Sequence, residues 1–221
     1  MRLPGNAPST VASAGAGLHK VGQPVRLFES DVLERFTRTS IVVILLFWLP
    51  VSALLIVIGA RLGRFSPLTM VSVAVAGVAA WTLFEYLLHR FVFHIERWIP
   101  QAVRMSFVMH GCHHADPADA SRDIMPLVGS VPISAALLGA SAIVMGPASA
   151  LVFMGGFGIA YLAYDVTHYA CHQRQPRGAI GRYLKRHHLV HHFVDGSRNF
   201  GVTSPLWDWL FRTLRRNNRH D

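Results

Sequence analysis

Thirteen histidines stand in this chain of 221 residues, and ten of them fall into spaced sets. His89 and His94 close "EYLLHRFVFH"; His110, His113 and His114 make "HGCHH"; His168 and His172 lie in "YDVTHYACH"; His188, His191 and His192 lie in "HHLVHH". Neutral imidazole is the commonest metal ligand. On an α-helix, residues three and four apart share a face. His110 therefore aligns with His113 and His114, His188 with His191 and His192, and His168 with His172. His89 and His94 are five apart, about 140° around an ideal helix, so they either serve different metals or lie where the helix loosens. His187 adjoins the last set, and the spacing leaves open whether it is a ligand. His19 and His220 stand alone near the two ends.

Ten imidazoles exceed the four ligands of a structural zinc site. Two six-coordinate ions with five imidazoles each would use all ten and leave one open position apiece. That pattern suits two iron ions, with zinc expected to substitute in protein purified after overexpression. Glu85, one turn before His89, and Asp165, three residues before His168, are expected either to orient ligands from behind or to pair locally. Cys112 and Cys171 each neighbour a histidine and read as small apolar fillers rather than thiolate ligands. A dinuclear iron centre with open positions is equipment for oxygen chemistry.

The elements that must hold these residues are apolar and long. Residues 41–60 and 65–84 carry no charge, and a third uncharged run extends from Ile124 to Tyr164. About twenty helical residues cross the roughly 30 Å of a bilayer's hydrocarbon core. The third run is too long for one span, and Gly146-Pro147 breaks it. The fold class is therefore an all-α integral membrane protein with four transmembrane helices in two hairpins. The histidine sets all sit at span ends or in the segments after them, which places them at one membrane face.

The net charge is +9. The basic residues flank the spans, so anionic headgroups and topology explain them, and nucleic acid is not expected as a partner. Only Arg61 and Arg64 lie in the first hairpin tip, and the tip at Gly146 carries no Lys or Arg. The positive-inside rule then puts both termini and the metal site on the cytoplasmic side. There a disulfide between the two cysteines is not expected. Residues 1–24 have no leucine-rich apolar centre and read as a flexible tail rather than a signal peptide. Residues 25–40, with Phe28, Val32 and Phe36 at four-residue spacing, read as an interfacial amphipathic helix. Residues 41–221 form the catalytic domain.

The four histidine motifs, in this order, resemble those of the fatty acid hydroxylase and sterol desaturase superfamily. The closest likeness is to the fatty acid 2-hydroxylases that act on sphingolipid acyl chains. "VRLFESDVLERFTRT", "RDIMPLVGSVP" and "NFGVTSPLWDWLFRT" extend the resemblance over about residues 25 to 213. It implies a four-helix anchor under a cytosolic helical cap, with a dimetal site whose ligands match the ten histidines. Many eukaryotic members carry a cytochrome b5 domain before this region. The chain has no His-Pro-Gly-Gly haem motif, so a separate electron donor is expected, a cytochrome b5, a ferredoxin or similar. The Ala-, Gly- and Arg-rich composition points to a bacterial inner membrane.

The expected function is therefore O2-dependent hydroxylation of a membrane lipid's acyl chain by a di-iron centre, at carbon two of a fatty acid or ceramide-type lipid. The spacing alone does not separate hydroxylation from desaturation. A hydroxylase or desaturase of another amphiphile (a carotenoid, a sterol or an ornithine-containing lipid) is the alternative enzyme. A membrane metal-binding or transport protein is the alternative of a different class. A transporter places polar ligands inside its spans near the midplane, whereas here the first two spans are free of charge and histidine.

Overall fold

Serine caps and glycine–proline breaks mark out the long helices. The structure, a computed structural model, describes residues 10–12, 18–20 and 25–215. Two short strands, β1 (Thr10–Ala12) and β2 (Leu18–Lys20), pair antiparallel. The rest of the tail expected over residues 1–24, and His220, lie outside the described residues. Helix α2 (Ile41–Gly63) starts at Ser40, whose Oγ accepts from the Val43 N–H at 3.3 Å, and stops at Arg64 in a left-handed conformation, φ 49°. Helix α3 (Pro67–Phe93) begins three residues later. Ser66 caps it, and Pro67 takes the first-turn position where its missing N–H costs nothing. Helix α6 (Leu127–Met145) and helix α7 (Pro147–Gln173) are separated by Gly146 alone, at φ +79°. Glycine adopts that backbone conformation without strain.

These four helices are long and apolar enough to cross a membrane, in the two expected hairpins. The first six-residue helix, α1 (Asp31–Phe36), is shorter than the helix expected over 25–40. Residues 25–28 precede it without helix, because Glu34 turns inward to accept from the Leu27 and Phe28 N–H groups at 2.9 and 3.1 Å and to pair with buried Arg122. Val32, Leu33 and Phe36 of α1 remain exposed.

Helix α7 is the centre of the bundle, packed on α2, α3 and α6. Small residues bring the backbones together, as in membrane helix pairs generally. A Cβ on Gly156 would lie 2.0 Å from the Ala74 carbonyl oxygen, and one on Gly77 would lie 2.0 Å from that of Phe153. Above these crossings Trp48, Trp81, Phe157 and Tyr161 form a buried aromatic cluster. Short helices α4 (Val103–Ser106), α5 (Cys112–Ala115), α8 (Ala179–Phe193) and α9 (Leu206–Leu210) form the cap over one end of the bundle. Helix α8 packs against α7.

Candidate metal centre

The ten spaced histidines converge as two groups of five. His89, His94, His110, His114 and His191 make one cluster; His113, His168, His172, His188 and His192 make the other. Within each, one ring nitrogen from every residue lies within 4.8 Å of those of the other four. His89 and His94 enter the same cluster because the end of α3, Leu88–Phe93, is a π-helix. Its i→i+5 register returns residues five apart to one face, and the two rings stack with centroids 5.3 Å apart. A second π segment, Phe107–Gly111, carries His110. The two triads each divide between the clusters. His110 and His114 face one and His113 the other; His188 and His192 face one and His191 the other.

Several rings are held at Nδ1, which aims Nε2 inward. His89 Nδ1 donates to the Phe200 carbonyl at 2.6 Å, His191 Nδ1 to that of Arg198 at 2.8 Å, and His168 Nδ1 to that of Asp123 at 2.7 Å. A carbonyl only accepts, so the proton of each ring sits on Nδ1 and its Nε2 keeps a lone pair. His113 Nδ1 lies 3.2 Å from an Asp123 carboxylate oxygen without the alignment of a hydrogen bond. Outside the spans, burial first and neighbouring imidazoles second hold His110, His113, His114, His188, His191 and His192 well below the ordinary histidine pKa. All six are neutral at pH 7, the form that binds metals. Burial raises the Glu96 carboxyl, but contacts to His94 and Ser106 outweigh it and bring its pKa to about 2.

The donor set fits metal ions. His168 Nε2 and both nitrogens of His113 and His192 are buried with no hydrogen-bond partner. Elsewhere Nε2 atoms face each other: His89 and His110 at 3.0 Å, His94 and His191 at 3.1 Å, His110 and His114 at 3.0 Å, His172 and His188 at 2.8 Å. Buried polar atoms without partners are costly, and a cation among them satisfies them together.

Glu85 reaches the site through a loop. It accepts from the Val202 N–H at 2.6 Å, the Thr203 N–H at 2.9 Å and the Thr203 hydroxyl at 2.6 Å, and so fixes the segment whose Phe200 carbonyl holds His89. Asp165 is buried beside the apolar cavity that also reaches His168. Among the described residues it makes no hydrogen bond to a histidine. His187 turns away from both clusters, with Nε2 3.2 Å from Asp208 Oδ2. Asp208 also accepts from the Phe200 and Gly201 N–H groups at 2.9 and 2.8 Å. Two carboxylates that spacing did not single out, Asp123 and Asp208, thus brace the site. Each lies in a stretch that carried the family resemblance, the only signal that could have found them. Burial pushes the Asp123 carboxyl up to about 7, against an opposing bond from Gln173. Cys112 and Cys171 are both free and buried, and neither belongs to a cluster.

An apolar cavity of about 490 Å³ opens under the clusters. Phe47, Trp48 and Val51 of α2, Ser134 and Leu138 of α6, and Phe157 of α7 line it, and it ends at His110 and His168. Helices α2 and α6 pack on α7 and little on each other. Phe47, Val128 and Val131 line the cavity and are also exposed outside. The cavity therefore opens sideways, between α2 and α6, toward the bilayer.

Comparison with known proteins gives a consistent picture. The family model described as fatty acid hydroxylase matches residues 74–213. Dihydroceramide fatty acyl 2-hydroxylase FAH2 of Arabidopsis thaliana is 40% identical over 189 residues, covering 86% of this chain and 79% of that protein. Fatty acid 2-hydroxylase of Rattus norvegicus is 34% identical over 218 residues, covering 88% of this chain and 58% of that one. The solved structure of full-length scs7p, in which only the hydroxylase domain is visible, superposes with a TM-score of 0.81 at 32% identity, over 90% of this chain and 74% of that chain.

Proposed function

Because this chain belongs to the fatty acid hydroxylase family, we propose that it inserts one oxygen atom from O2 at carbon two of a lipid-borne long acyl chain. The observation that carries the proposal is the cavity: it opens toward the bilayer and ends at His110 and His168, one from each histidine cluster. In a membrane lipid the acyl carbonyl lies at the interface and the chain descends from it. Carbon two is the first chain carbon past the carbonyl, so it reaches the clusters with the least lipid withdrawn from the membrane. The similar proteins act, by their names, on dihydroceramide acyl chains and fatty acids. A ceramide-type lipid or a fatty acid is therefore the substrate class.

The ten histidines are the ligands of two ions, five to each, with iron in the working enzyme. Five imidazoles in each group exceed the four ligands of a tetrahedral site, which supports ions of higher coordination number. When bound, such a pair supplies the activation of O2 that an unactivated C–H bond requires. The chain's own residues do the rest. The apolar wall holds the acyl chain and excludes water. The carbonyls of Asp123, Arg198 and Phe200 keep His168, His191 and His89 in the tautomer that leaves Nε2 as the ligand atom.

Among the described residues, no further group of three or more His, Cys, Asp or Glu side chains is placed to hold a metal. Electrons are taken, in this reading, from a one-electron carrier of the cytochrome b5 or ferredoxin kind. The termini and the clusters face the cytoplasm, on the strength of the Lys and Arg distribution. The relatives named above are eukaryotic; the bacterial inner membrane is proposed from composition alone. The deciding experiment incubates the membrane-embedded protein with lipid under labelled O2. The expected product is one oxygen heavier, with fragments placing the hydroxyl at carbon two. A new double bond, or a hydroxyl far down the chain, would refute the assignment. Reporter fusions at the C terminus and at residue 63 are expected on opposite sides of the membrane.

A further inference from the structure

Helix α8 presents two opposite faces. The inner face supplies His188, His191 and His192 to the clusters. The outer face, one helix diameter or about 10 Å away, carries exposed Arg182 and Arg186. Leu189 and the exposed Phe193 and Val194 floor a shallow groove of about 520 Å³ beside them. Arg174 and Arg177 continue the charge along the approach to the helix. From Val166 to Val194 the sequence contains Arg174, Arg177, Arg182, Lys185 and Arg186 and no Asp or Glu. Among the described residues none of the five makes an ion pair. Arg182 and Lys185 instead donate to the backbone carbonyls of Arg177 and Arg174. The metal-site function explains the inner face; topology and lipid headgroups account for basic residues in general, but not for their placement beside an apolar groove on this outer face.

An apolar floor with a charged rim is the anatomy of a transient protein contact. A rim of one sign selects partners of the other sign and speeds their encounter. The reaction proposed above needs such a partner. It converts R–H, O2, two electrons and two protons into R–OH and one water, and the lipid supplies only the C–H bond. The electrons must enter from outside, and across α8 the path to the clusters is one helix thick. We propose, resting on the oxygenase reading, that the outer face of α8 is the docking site of an acidic one-electron carrier protein. The carrier is oxidised twice per turnover, one electron at a time, and the protons come from water.

The test uses the full-length, iron-loaded protein in discs of phosphatidylcholine. A reduced ferredoxin of net negative charge is the probe carrier, and dithionite is the carrier-free reductant. For the double variant Arg182→Glu with Arg186→Glu, the KM for ferredoxin is expected to rise about tenfold or more. The kcat at saturating ferredoxin and the dithionite-driven single turnover should stay at wild-type values. The double variant Arg182→Gln with Arg186→Gln should fall between, and Arg61→Glu at the far hairpin tip should change nothing. Salt should raise the wild-type KM and flatten the difference. An unchanged KM in the Glu variant overturns the proposal, as does an equal loss of dithionite-driven turnover, which would make the two arginines structural. A difference that arises only in discs containing phosphatidylglycerol would assign the face to lipid headgroups instead. If the wild type makes no 2-hydroxylated lipid with dithionite, the oxygenase reading fails and the docking proposal fails with it.

Discussion

Glu85 should matter through its shape rather than its charge. Its carboxylate accepts two backbone N–H groups and one hydroxyl from Val202 and Thr203. Glu85→Ala orphans both N–H groups. A buried N–H without an acceptor costs about 1–3 kcal/mol. Val202 is fully buried, but Thr203 is half-exposed and water can reach its N–H. The expected destabilisation is therefore about 2–4 kcal/mol rather than twice the single-bond maximum. The freed loop also carries the Phe200 carbonyl that holds His89 Nδ1. Loss of such an outer partner typically costs 10–100-fold in metal affinity, and here the cost falls on the cluster containing His89. Glu85→Gln keeps one oxygen for both N–H groups and offers its amide to the Thr203 hydroxyl, which can turn to accept. Metal analysis of purified protein, with thermal unfolding in detergent, should show the Ala variant losing one of two ions and the Gln variant keeping both. An Ala variant with full metal content and an unchanged midpoint would refute the reasoning. So would a Gln variant as damaged as the Ala variant, because charge and not geometry would then be at work.

Asp123→Ala should empty the other cluster, since its carboxylate sits against His113 and accepts from Gln173 at 2.9 Å; at limiting metal the content is expected to fall from two ions to one, and product formation at least about tenfold. His188→Ala should abolish product formation, whereas His187→Ala should lower the unfolding midpoint, through its contact with Asp208, and leave metal content intact. Gly156→Ala should disrupt the α3–α7 crossing, where its Cβ would meet the Ala74 backbone, and size-exclusion profiles should show the loss of folded protein. Gly139→Ala is the control, because nothing lies within 4 Å of a Cβ there.

The hydropathy runs and the Gly146-Pro147 break made the four spans legible, because bilayer thickness sets helix length directly. The ten histidines were legible as a group for a similar reason: their spacing brings them to one face and one depth. Their division between clusters was not. His89 and His94 share a cluster only because α3 ends in a π register, and hydrogen-bond register in a helix end is settled by packing rather than by the residues alone. The triads split because each turns its middle histidine, His113 or His191, toward the other cluster, a matter of how the segment 107–115 and α8 face each other. The extent of α1 was not legible, because Glu34 is buried on Arg122. The ring-holding carbonyls of Phe200, Arg198 and Asp123 had no signature, since every residue carries one. The role of Glu85 was half visible: its position was clear, and its partner loop, over a hundred residues away, was not.

The sideways opening between α2 and α6 changes what substrate concentration means for this protein. A ligand arriving from water is counted per volume of solution. A lipid arriving through this gap is counted per area of membrane, among all the other lipids that diffuse past. Its rate law follows mole fraction in the leaflet. Adding inert phospholipid at fixed substrate should slow the reaction by dilution in two dimensions, and adding buffer should not.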